Sequence, residues 1–155
     1  MSALIGGGIA VASGWTVERG RWRREEHRHE RDRRTALYAD YLAAVLSARE
    51  QIWHASRWRE LPRDERIAMA RDALRDSQVY PIQHRVSLVG PPEIEELSNQ
   101  VASRLTAYRD AVIEAANESE EANESDVAIR PVWDALTEAR QALRTRMRAD
   151  LDALR

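Results

Sequence analysis

Residues 93–115 read EIEELSNQVASRLTAYRDAVIEA. Ile94, Leu97, Val101, Leu105, Tyr108, Val112 and Ala115 recur there at steps of three or four residues. That spacing gathers the apolar side chains on one face of a helix. A half-buried strand would alternate at every second residue, and this segment does not. The predicted helix runs from Glu93 to about Glu121. Pro91-Pro92 opens it, and Gly90 caps the element before it.

Toward the C-terminus, residues 116–126 read ANESEEANESD, a six-residue near-repeat with acids and no base. This is the composition of a solvated acidic connection. A calcium loop would need a turn-forming Gly and a different ligand spacing. Pro131 then restarts a helix, in which Val132, Leu136, Ala139, Leu143, Met147, Leu151 and Leu154 form the stripe. Arg140, Arg144, Arg146 and Arg148 are expected on its outer sides, the later ones complementing the helix dipole.

Toward the N-terminus, Leu37, Tyr41, Ala44, Ala48, Ile52 and Ala55 mark another buried face, widened by Tyr38, Leu42, Val45, Leu46 and Trp53. This helix ends near Leu61-Pro62, where Pro discourages continuation. Residues 64–79 form a weaker helix with Ile67, Ala70, Leu74 and Ser77 on one face. Pro81 is expected to kink it into a final stretch at residues 82–89. A strand there would have no partner. The expectation is therefore an all-α chain, with a long N-terminal helix and an antiparallel four-helix bundle.

Two segments precede the bundle. Residues 18–35 carry mixed charge, with Glu18–Arg34 holding eight Arg against five acids. Opposite charges at helical spacing (Arg21/Glu25, Arg28/Asp32, Glu30/Arg34) suit an exposed helical stalk. Residues 1–17 form an apolar N-terminal segment and candidate membrane anchor, with SALIGGGIAVASGWTV at positions 2–17 uncharged. As a helix those sixteen residues span about 24 Å, against about 30 Å for a hydrocarbon core. Trp15, Arg19, Arg21, Trp22, Arg23 and Arg24 are candidate membrane-interface residues, since aromatics and basic groups collect there. Ser2, Gly6, Ala10 and Gly14 recur every four residues, a candidate packing face for a second membrane helix and thus for a homodimer. A secretory signal would instead carry its basic region before the apolar stretch. The positive-inside rule places the Arg-rich side in the cytoplasm, giving a single-pass topology at the cell membrane.

The bundle is thus residues 36–155. Composition removes whole classes of chemistry. All 24 basic residues are Arg, and Cys is absent. Thiol nucleophiles, Cys-ligated metals and disulfides are excluded, as are Schiff-base lysines and a P-loop lysine. The net charge of −2 offers no global attraction for nucleic acid. His27 and His29 point about 200° apart on a helix and cannot share a metal. Glu26 and His29 have the spacing of one half of a di-iron motif, but no second half occurs. His54 is expected to be a hydrogen-bonded or edge-exposed histidine. Trp58, in Arg57-Trp58-Arg59, is expected to cover the end of the bundle. No catalytic residue, metal ligand or cofactor-binding residue is identified.

The chain resembles a diffuse group of uncharacterised actinobacterial proteins. The resemblance rests on the apolar start, the Arg-rich run, and the segments Leu37-Tyr38-Ala39-Asp40-Tyr41-Leu42, Val86-Ser87-Leu88-Val89-Gly90-Pro91-Pro92-Glu93-Ile94 and Met147-Arg148-Ala149-Asp150-Leu151. It implies a single-span or membrane-proximal helical protein and carries no catalytic signature. The functional expectation is a membrane-anchored cytoplasmic helical bundle acting as an interaction or scaffold module, with membrane lipid and a protein as partners. The alternative is a soluble helical homo-oligomer whose apolar N-terminus packs in a protein interface.

Overall fold

The computed structural model describes residues 9–118 and 122–154, with side chains for residues 25–117 and 127–154. The described chain is helical: α1 (Ile9–Arg57), α2 (Arg63–Asp76), α3 (Val79–Val89), α4 (Pro92–Glu118) and α5 (Ala122–Ala153). Cross-chain bonds give the order of the arms. Gln51 of α1 bonds Ser77 at the end of α2, while Arg63 at the start of α2 reaches Asn117 at the far end of α4. Tyr38 meets Asp150, and Arg49 lies over Trp133, so α5 runs back along α1. The result is an antiparallel four-arm bundle whose second arm is divided into α2 and α3.

The core follows the predicted stripes. Leu37, Tyr41, Ala44, Ala48, Ile52 and Ala55 are all buried, as are Ile94, Val101, Leu105, Tyr108 and Val112 from α4. Leu136, Leu143 and Met147 close it from α5. Two residues expected to widen the α1 stripe do not: Leu46 and Trp53 are 38% and 41% exposed. Each lines a shallow surface pocket beside α5 instead of entering the core.

Three boundaries depart from expectation. The second arm breaks at Ser77-Gln78, not at Pro81. A continuous helix would drive the Pro81 ring into the carbonyl of Ser77, four residues earlier. The chain avoids this by placing Gln78 in the left-handed region (φ 57°, ψ 28°), so that Pro81 falls in the first turn of α3. In that turn a missing N–H costs no helical bond. The last helix starts at Ala122, so Pro131 lies inside it. The expected loop at 116–126 is accordingly helical outside 119–121, which fall outside the described residues. Pro131 removes a bond to the carbonyl of Val127, whose residue is exposed, so water can satisfy that acceptor.

Gly90 ends α3 as expected, but not by left-handed geometry. Its φ is −80° and ψ 160°, the extended conformation that Pro91 imposes on the residue before it. What Gly90 provides is space. A Cβ there would lie 3.0 Å from the Val86 carbonyl oxygen, 3.3 Å from Ile94 Cγ2 and 3.4 Å from the Tyr38 hydroxyl. Pro92 is the first residue of α4, and the Pro91 carbonyl accepts from the amides of Ile94 and Glu95.

Candidate functional site

The bundle has a polar cluster at the end nearest the stalk. Tyr38 donates its hydroxyl hydrogen to Asp150 Oδ2 at 2.8 Å. Arg34 Nη1 donates to both oxygens of the same carboxylate at 3.1 Å, and Arg34 Nε reaches Glu30 Oε1 at 2.8 Å. Burial raises the Tyr38 hydroxyl pKa well above the ordinary phenol range, and the Asp150 carboxylate adds to this. Burial opposes the charge on Arg34, but its bonds to Glu30 and Asp150 outweigh that and raise its pKa. The cluster thus fixes the charged run of α1 against the last turns of α5. The segments 37–42, 86–94 and 147–151 meet here, with Gly90 giving the Tyr38 hydroxyl room to pass.

The sequence carried a signal for this cluster. Asp150 stands in the apolar register Leu143, Met147, Asp150, Leu154, and Arg34 stands one turn before Leu37 and Tyr38. An acid in a core register needs a buried partner. Its partner is more than a hundred residues away, and spacing alone does not name it.

A second feature lies along the side of the bundle, between α1 and α5. A groove of about 350 Å³ is lined by Leu42 and Leu46 on one wall and by Arg140, Arg144 and Arg148, with Gln141 and Thr145, on the other. Burial lowers the Arg140 pKa, and the nearby charges of Arg49 and Arg144 lower it further. Arg49 stacks 5.1 Å from the Trp133 ring centre, and its Nε is buried without a hydrogen-bond partner. The four C-terminal arginines are therefore not all outward-facing. Arg140, Arg144 and Arg148 edge this groove, and Arg146 pairs with Glu93 of α4.

At the opposite end, Trp133 packs edge-on against Tyr108, with ring centres 5.3 Å apart. Burial raises the Tyr108 pKa to about 12. His54 packs between Trp53 and Trp58 at 5.1 and 5.0 Å, and its Nδ1 is buried with no hydrogen-bond partner. It is packed between two indole rings, not simply exposed at the edge of the stripe. Trp58 is 51% exposed and leans on His54.

Of the candidate anchor residues, Ser2 and Gly6 lie outside the described residues. Ala10, Gly14, Trp15, Arg19, Arg21, Trp22, Arg23 and Arg24 lie on α1, with their side chains outside the described set. Among the described residues, no helix is long and apolar enough to cross a membrane, and no group of three or more His, Asp or Glu is placed to hold a metal ion. Comparison with family models, curated proteins and solved structures finds no match for this chain.

Proposed function

We propose that the chain is a membrane-attached interaction module, held at the cytoplasmic face of the cell membrane by its apolar N-terminus. The observation that carries this is the continuity of α1. One helix of 49 residues joins part of the uncharged segment, the whole Arg-rich run and the first face of the bundle core. From Ile9 to Leu37, the first buried residue of the described core, it covers about 42 Å at 1.5 Å per residue. The Arg34–Asp150–Tyr38 cluster locks this lever to the bundle, so the bundle is held at a fixed distance from whatever the N-terminus binds. The Arg side chains that follow Val17 suit the cytoplasmic headgroup region.

Membrane fractionation of the full chain in cells tests this. The protein should stay with the pellet through alkaline carbonate, and deletion of residues 2–17 should release it. A full-length protein found wholly in the supernatant overturns the proposal and favours a soluble homo-oligomer joined through the same apolar segment.

A further inference from the structure

The groove between α1 and α5 holds charge of one sign. Arg140, Arg144 and Arg148 stand four residues apart, a row with steps of about 6 Å along α5. Among the described residues neither Arg140 nor Arg144 has a carboxylate partner, and no acid lines the groove. Other arginines differ: Arg34 holds Glu30 and Asp150, Arg75 holds Asp72 and Asp76, and Arg146 holds Glu93. Opposite the row lie Leu42 and the half-exposed Leu46. Such a surface suits an acidic segment that also offers an apolar side chain.

The chain carries a segment of that kind. Residues 118–127 hold Glu118, Glu120, Glu121, Glu124 and Asp126 with no base, and end in Val127, which is 74% exposed. This segment cannot fill the groove of its own chain. Asp126 and Arg144 lie on the same helix, eighteen residues and about 27 Å apart. We propose that the acidic segment 118–127 of a second copy docks in the groove lined by Leu42, Leu46, Arg140, Arg144 and Arg148. With the two α5 helices antiparallel, each copy supplies one segment and one groove. The contact then forms twice and closes as a two-fold dimer.

The chain has no Cys, so introduced thiols report only where they are placed. Full-length Thr145→Cys and Ser125→Cys chains, differently tagged, are mixed in nonionic detergent and oxidised. The mixed disulfide should form faster than either homodisulfide, and about tenfold more slowly when salt rises from about 0.05 to 0.5 M. Arg140→Glu with Arg144→Glu in the Thr145→Cys chain should abolish it. Adding Glu120→Arg and Glu121→Arg to the Ser125→Cys chain should restore it. If the Arg-to-Glu chain fails to fold, the Glu-to-Arg pair alone should abolish the crosslink to the otherwise unaltered Thr145→Cys chain. A mixed disulfide no faster than the homodisulfides, or one indifferent to charge reversal, overturns the proposal. So does protection of the Thr145→Cys thiol by inorganic phosphate without a mixed disulfide, which assigns the groove to a small anion. The crosslink reads docking between copies and carbonate fractionation reads membrane attachment, so the two proposals fail separately.

Discussion

Replacing Asp150 with Ala removes the acceptor for three hydrogen bonds at once: one from Tyr38 at 2.8 Å and two from Arg34 at 3.1 Å. The Tyr38 residue is 2% exposed, so its hydroxyl is left without water or partner. A buried donor stranded in this way costs about 1–3 kcal/mol. Arg34 keeps Glu30, and its side chain is 20% exposed, so its loss is much smaller than the roughly 3–5 kcal/mol of a fully buried broken pair. A total of about 2–4 kcal/mol is expected, a large share of a domain stability of roughly 5–15 kcal/mol. Denaturant unfolding of the full chain in nonionic detergent, followed by circular dichroism, measures it as a lowered midpoint at unchanged slope. Tyr38→Phe removes one partner and leaves the Arg34–Asp150 fork, so it should cost about 1 kcal/mol. In the double variant the two costs should fall short of additive, because Tyr38→Phe has already removed the stranded hydroxyl. An Asp150→Ala chain within about 0.5 kcal/mol of the parent, or strictly additive costs, refutes the cluster as a lock between stalk and bundle.

Gly90→Ala should destabilise by about 1–3 kcal/mol, because the added methyl meets the Val86 carbonyl at 3.0 Å and that backbone oxygen cannot swing aside; an unchanged melting temperature contradicts the close approach. Gln78→Gly should stabilise by about 0.5–1 kcal/mol by relieving a left-handed side-chain residue, and a loss of stability would show that the Gln side chain matters more than its backbone. Tyr38, Tyr41 and Tyr108 have pKa values raised chiefly by burial. A raised folded-state value favours the neutral form, so this stability is complete below about pH 10 and drains away as pH rises toward the folded values. In a Tyr80→Phe chain, tyrosinate absorbance should therefore lag and appear together with loss of helix; full ionisation by pH 11 with circular dichroism intact would contradict their burial.

The core of each arm was legible because burial follows helical spacing, and the stripes of α1 and α4 name nearly every residue that packs. The break at Gln78 was not, because Pro81 announces a steric conflict without saying which upstream residue absorbs it. Pro131 misled in the other direction. An exposed helix can lose one bond to water, so a Pro does not have to end it. The Tyr38–Asp150 cluster was missed: the expected α5 stripe ran through Leu151, although Asp150 shares the register of Leu143 and Met147 and is the buried residue, and its partner lay across the whole chain. The groove was hidden for a different reason. Spacing on α5 shows that Arg140, Arg144 and Arg148 share a face, but only packing shows that Leu42 and Leu46 stand opposite.

A single unbroken α1 also sets an angle. Each residue of helix turns the chain by about 100° and lifts it by about 1.5 Å. The exposed run at residues 25–29 therefore works as a phase between the N-terminal segment and the bundle. One residue inserted there would swing the Arg groove about 100° around the stalk, while seven would return it to within about 20° of its starting bearing. In this chain the number of charged residues between the two ends determines the compass direction in which the groove faces.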